Sequence, residues 1–150
     1  MVSALIASGY PIKKIVQQLS GIPQVPGRME RLGTKGTPII FIDYAHTPDA
    51  LKKALETLKD KTDGRLICVF GCGGNRDAGK RKEMAKVASA LADMNFITSD
   101  NPRNENPKNI IDEISKYMKG SFKVEIKRGK AIEKAIQFAK KGDIILIAGK

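Results

Sequence analysis

His46 is the only histidine in the chain, and it stands three residues after an aspartate in the run Asp43-Tyr44-Ala45-His46-Thr47-Pro48. An imidazole can gain or lose a proton near neutral pH, so it can serve a proton or an anion. A lone histidine is more often structural than catalytic, but a place at the end of a strand argues for chemistry. Asp43 can accept hydrogen bonds from ribose hydroxyls, or it can cap a helix starting near Thr47. A second run, Gly71-Cys72-Gly73-Gly74-Asn75-Arg76-Asp77, gathers glycines beside an arginine. Glycines expose backbone N–H groups, a helix N-terminus adds positive potential, and Arg76 adds a planar fork, which together suit an anion. The plainer alternative is a turn that lets a strand enter its helix. Gly74 to Lys80 also matches G-x-x-x-x-G-K, but a phosphate-binding P-loop then needs Ser or Thr, and this chain has Arg81.

The third run is Ser99-Asp100-Asn101-Pro102-Arg103-Asn104-Glu105. Asn101-Pro102 reads first as a turn. Arg103 just beyond it has no obvious structural duty. Two guanidinium groups, Arg76 and Arg103, on adjacent loops would suit a carboxylate. Cys68 and Cys72 with no histidine nearby make only half a zinc site, so no metal is expected on this chain.

These residues need elements to place them. After residue 37, short β-branched runs alternate with helical stretches. Strands are expected at Pro38–Asp43, Arg65–Phe70, Asn95–Thr98, Phe122–Ile126 and Asp143–Ala148. Helices are expected at Thr47–Lys59, Asp77–Met94, Pro107–Met118 and Gly129–Ala139. Alternation of this kind implies right-handed crossovers and a mostly parallel sheet. Continuous apolar runs fit strands covered on both faces. The expected class is therefore a doubly wound α/β domain. In such sheets ligands bind outside the carboxyl ends of the strands, where all three runs fall.

Residues 1–26 do not fit this scheme. Ala4–Gly9 reads as a helix end. Pro11–Leu19 reads as a short amphipathic helix with Ile12, Ile15, Val16 and Leu19 inward, and Ile22–Gly27 as a linker. The expected boundary lies at 26/27, with a less certain strand at Arg28–Leu32. The last strand hands over to only Gly149-Lys150.

The composition narrows the partners. The chain has 150 residues and a net charge of +11. This excludes an acidic tail and points to anionic partners. Few aromatics and no tryptophan argue against base stacking. The lysine-rich stretch 123–134 reads as solvated surface. No apolar run approaches a membrane span of about 18 residues, and the N-terminus does not read as a signal peptide. Reduced cysteines in the cytoplasm fit best. Neither a nucleic-acid nor a membrane partner is expected.

GRMERL at 27–32, DYAHTPDALKKAL at 43–55, VFGCGGNRDAGKR at 69–81, SDNPRNENP at 99–107 and ILIAGK at 145–150 occur in that order. Together they resemble the C-terminal domain of the Mur ligases, which is Rossmann-like. The resemblance implies ATP-dependent amide synthesis in peptidoglycan assembly, with magnesium. The D-glutamyl carboxylate of a UDP-N-acetylmuramoyl dipeptide takes a phosphoryl group from ATP, and an amino acid's amine attacks the acyl phosphate. Residue by residue, Arg28 and Asp43 match positions at the ATP ribose, and Lys80 falls on the nucleotide side. His46 matches a position turned toward the phosphates. Arg76, Asn101 and Arg103 match the amino-acid pocket, with Asp100 in the same motif. There the DNPR arginine marks enzymes that select meso-2,6-diaminopimelate, whose distal carboxylate lysine lacks.

Two departures stand out. Asn75 replaces an aspartate common in relatives, and the family continues after AGK with Gly-His-Glu. The UDP-binding domain and the central ATPase domain have no counterpart here. The resemblance therefore implies part of a longer enzyme, inactive alone, with residues 1–26 the tail of the central domain. A ligase of the same type adding L-lysine or another diamine, and a basic nucleic-acid-binding module, remain as alternatives.

Overall fold

The computed structural model describes residues 2–19, 21, 24–34, 36–75 and 77–149. Two short helices, α1 (Val2–Ala7) and α2 (Ile12–Leu19), precede a six-stranded sheet. Its elements are β1 (Glu30–Leu32), β2 (Ile39–Asp43), α3 (Pro48–Lys59), β3 (Leu66–Phe70), α4 (Gly79–Leu91), β4 (Met94–Ile97), α5 (Pro107–Ser115), β5 (Phe122–Val124), α6 (Arg128–Phe138) and β6 (Ile144–Ala148). The strand order is β1-β2-β6-β3-β4-β5. Only β1 runs antiparallel to its neighbour. The sheet is thus mostly parallel, as expected.

The strand pleat sorts side chains to two cores. Cys68, Phe70, Leu146 and Ala148 face α3, α4 and α5, which contribute Leu51, Leu55, Met84, Ile111 and Ile114. Ile67, Val69, Ile145 and Ile147 face α6, which contributes Ala131 and Ala135. The chain moves outward from β2 to β5 with its helices on one face. It must then return past β4 and β3 to set β6 between β2 and β3. A right-handed crossover in that direction puts α6 on the other face. The double winding follows from this one reversal.

β3, β4 and β6 are buried throughout. β5 is an exposed edge of three residues, shorter than the expected Phe122–Ile126 and not covered on both faces. α4 ends at Leu91 rather than Met94, because Met94 opens β4 beside Ile67. In α2 only Ile15 is buried; Ile12, Val16 and Leu19 are exposed, against expectation. No described residue covers that face of the helix. Ile22 and Pro23 of the expected linker lie outside the described residues. Gln24 is tied to the sheet: its amide nitrogen donates to the Met29 carbonyl, and its amide oxygen accepts from Arg31 N–H.

Local signals set the helix starts. Thr47 and Asn106 are N-caps whose side chains accept from the N–H groups of Ala50 and Lys108, and a proline follows each. At the amino end of the sheet, Asp143 is 4% exposed. It accepts from the backbone N–H of Arg65 and Lys140 and pairs with the Arg65 guanidinium at 2.6 Å. Burial pushes its pKa up, but the Arg65 guanidinium and the two N–H groups outweigh burial and hold it below the ordinary value.

Candidate functional site

The carboxyl ends of β2, β3 and β4 open into a crevice of about 420 Å³. Tyr44, His46 and Thr47 line it after β2, Gly73 and Lys80 after β3, and Asp100, Asn101 and Arg103 after β4. Of the expected site residues, His46, Lys80, Asp100, Asn101 and Arg103 therefore meet in one place. Arg76 lies outside the described residues.

Two loops form one wall. Gly74 N–H donates to the Asn101 carbonyl at 2.8 Å, and Asn104 N–H donates to the Asn75 side-chain oxygen at 3.0 Å. The glycines permit this approach. A Cβ at Gly74 would sit 2.0 Å from the Pro102 carbonyl oxygen, and one at Gly71 would sit 2.3 Å from that of Thr98. Part of the expected anion-binding loop is already engaged within the chain. The N–H groups of Gly74, Asn75 and Gly79 are spent on Asn101, Glu105 and Asp77, so they cannot cradle a phosphate.

Arg103 stands at φ 49°, in the left-handed region that non-glycine residues rarely adopt. Its Nη1 donates to the Gly74 carbonyl at 2.7 Å, which fixes the plane of the guanidinium. The remaining N–H groups are left for a ligand. Asn101 makes an Asx turn, its side-chain oxygen accepting from Arg103 N–H at 3.3 Å. Its amide NH₂ stays available as a donor. Lys80, in the first turn of α4, makes no hydrogen bond or ion pair among the described residues.

His46 Nδ1 lies 2.9 Å from the Tyr44 carbonyl. A carbonyl only accepts, so Nδ1 carries the proton and Nε2 is the free atom. Nε2 can therefore meet an anion only as the imidazolium. Asp43 does not cap α3; Thr47 does. One Asp43 oxygen accepts from Met29 N–H and the other from Ala45 N–H, both at 2.8 Å, and this ties β1 to the end of β2. Each oxygen keeps a lone pair for a further donor. Arg28 lies with its guanidinium 5.0 Å over the Tyr44 ring and does not line the crevice.

Sequence reasoning gave no role to Tyr44, Thr47, Arg81, Glu105 or Arg128. Arg128 also departs from the solvated-surface reading of 123–134. It is half-buried and donates Nη2 to the Ala148 carbonyl at the end of β6, 3.0 Å away. Its Nη1 is buried without a partner. Burial pulls its pKa down, and the charge of Asp100 opposes that shift. Only the fold brings α6 beside the loop after β4, so no spacing in the sequence signals this.

The donor set of Lys80, Arg103 and Asn101 suits carboxylates and phosphates. Among the described residues no group of three or more His, Cys, Asp or Glu side chains could hold a metal ion.

Such a crevice at the strand ends of a doubly wound sheet defines an α/β domain whose donors suit a small anionic or zwitterionic ligand. The chain belongs to the Mur ligase family: the family described as Mur ligase, glutamate ligase domain, matches residues 27–150. It is 49% identical, over its whole length, to the UDP-N-acetylmuramoyl-L-alanyl-D-glutamate–2,6-diaminopimelate ligase of Coxiella burnetii, covering 31% of that protein. The enzyme of the same name from Synechococcus sp. (strain WH7803) is 47% identical over 99% of the chain, again 31% of the relative. A solved structure of a ligase of that name superposes with TM-score 0.79 at 36% identity, over 99% of this chain and 31% of that one. The bifunctional folylpolyglutamate/dihydrofolate synthase of Yersinia pestis, complexed with AMPPNP and manganese, shares the fold, with TM-score 0.77 at 18% identity, over 99% of this chain and 34% of that one. The chain thus spans about a third of the length of the curated relatives it matches. No described helix is long and apolar enough to cross a membrane.

Proposed function

We propose that this chain is the amino-acid-binding, C-terminal part of an ATP-dependent ligase that joins meso-2,6-diaminopimelate to UDP-N-acetylmuramoyl-L-alanyl-D-glutamate. The observation that carries this reading is Arg103, its guanidinium locked on the Gly74 carbonyl with its other donors free at the crevice. A fixed planar fork suits a distal carboxylate far better than a mobile ammonium does. Relatives at 47–49% identity, named for diaminopimelate, support that acceptor over lysine. Neither they nor the crevice favours nucleic acid.

In this reading Arg103, Asn101 and Arg76 bind the carboxylate end of the acceptor, and Asp100 faces its ammonium group. Arg28, Asp43 and Lys80 lie on the nucleotide side, and the His46 imidazolium meets the phosphates. The dipeptide's carboxylate takes the γ-phosphoryl group of ATP. The acceptor amine then attacks the acyl carbon and phosphate leaves. This chain contributes by holding the amine in place and by opposing negative charge. Magnesium and the phosphoryl-transfer machinery belong to a preceding domain, of which residues 1–26 are the tail. The two buried thiols fit a cytoplasmic setting.

The test is phosphate release by the full-length ligase carrying this chain. Release is expected only with ATP, the UDP-linked dipeptide and diaminopimelate all present, and the 150-residue chain alone should release none. Equal turnover with lysine would defeat the acceptor assignment. Amide formation by the 150 residues alone would defeat the division of labour.

A further inference from the structure

Arg81 enters the sequence only as the residue that breaks a phosphate-loop pattern, and it does not line the crevice. It is 3% exposed, and no other described cation is buried so completely. Its Nη2 donates to both oxygens of Glu105 at 2.8 Å, and its Nη1 donates to Glu113 at 2.7 Å. The Glu105 carboxylate also accepts the backbone N–H of Asn75. One carboxylate therefore joins α4 to both crevice loops, and the shared guanidinium adds α5.

The joint lies beside two strained residues. Asn75 has φ 50° and Arg103 φ 49°. Such conformations persist only where the surroundings over-determine them. Asn75 is held directly by Glu105, and Arg103 stands two residues from Glu105 in the same loop. Arg81 is buried but Glu105 is about a third exposed, so the pair itself adds little to stability. What it adds is direction: a planar fork fixes the carboxylate, and the carboxylate fixes an amide. The Asn75 N–H and the Arg81 guanidinium also hold the Glu105 carboxyl below its ordinary pKa, so it stays charged.

We propose that the Arg81–Glu105 clasp is a positioning device for acceptor recognition, keeping both loops in the backbone conformation that aims the Arg103 fork. The inference rests on the acceptor-binding role given to Arg103 above.

Steady-state kinetics of the full-length ligase tests it, with Arg81→Lys and Glu105→Gln made singly and together. Each single variant should raise KM for diaminopimelate about tenfold or more, with KM for ATP within about twofold. The double variant should be no worse than the poorer single one, because both break the same joint. The Asn75 amide resonance should shift in each. A lowered melting temperature with unchanged acceptor KM overturns the proposal, as do additive effects of the two changes. If Arg81→Lys does not fold, Glu105→Gln, on the loop itself, decides. Arg103→Ala separates the two readings. If it raises acceptor KM while Glu105→Gln does not, the clasp alone falls. If Arg103→Ala leaves acceptor KM unchanged, the crevice assignment falls and the clasp's role falls with it.

Discussion

Arg103 illustrates how one side chain acquires a function from its surroundings. A free guanidinium samples many orientations, whereas here the Gly74 carbonyl takes one N–H and leaves the rest of the fork directed. His46 is constrained in the same way, with Nδ1 committed to a backbone carbonyl. At the far end of the sheet, Asp143 shows a purely structural use of the same chemistry. Its replacement by Ala removes the acceptor of the Arg65 and Lys140 N–H groups and the partner of the Arg65 guanidinium, and should cost about 2 kcal/mol in urea unfolding. Because the folded-state pKa of Asp143 is depressed, its contribution is complete above the ordinary aspartate value of about 4 and is lost as pH falls through the folded value. The gap in melting temperature between wild type and Asp143→Asn should therefore be constant near neutrality and narrow only in acid. A gap that stays constant down to pH 2 would contradict this.

At the scale of elements, the loops after β3 and β4 behave as one unit. Gly74→Ala would drive a Cβ to 2.0 Å from the Pro102 carbonyl oxygen, so one loop must move. The expected cost is about 1–3 kcal/mol, with a rise in acceptor KM. Normal acceptor KM in a destabilised Gly74→Ala enzyme would show that the loop junction does not set recognition. The alternation of strands and helices was legible because short continuous apolar runs alternate with stretches of helical spacing. Thr47-Pro48 and Asn106-Pro107 mark helix starts in the sequence and cap them in the fold. The three chemical runs were legible for the same reason, since strand ends converge in any parallel sheet. What escaped was whatever depends on pairing across the fold. Nothing in the spacing of Arg81 and Glu105 says that they meet, and nothing announces that Gly74 and Asn75 spend their N–H groups on the facing loop. The inward face assigned to α2 failed because amphipathic spacing says which residues want cover, not whether cover is present.

At the scale of the whole molecule, the core under α3, α4 and α5 encloses both cysteines. Burial pushes the Cys68 thiol up to about 12 and the Cys72 thiol up to about 11. Thiolate is therefore scarce at pH 8. Neither cysteine should react with an aromatic disulfide reagent within minutes at that pH, and both should react fully in denaturant. Rapid labelling without denaturant would mean that the 150 residues do not hold this fold alone. The positive charge, by contrast, is mostly surface: Lys80 and Arg103 line the crevice, whereas Lys123 lies over the Phe138 ring and Lys134 pairs with Glu125. The central claim is that the crevice recognises the acceptor's distal carboxylate through Arg103. It is tested most directly by the ratio of kcat/KM for diaminopimelate to that for lysine, at saturating ATP, in the full-length ligase and its Arg103→Ala variant. Loss of a fixed charge-assisted fork should lower that ratio by at least about 30-fold, with KM for ATP essentially unmoved. An unchanged ratio, or a change confined to ATP, would contradict the account.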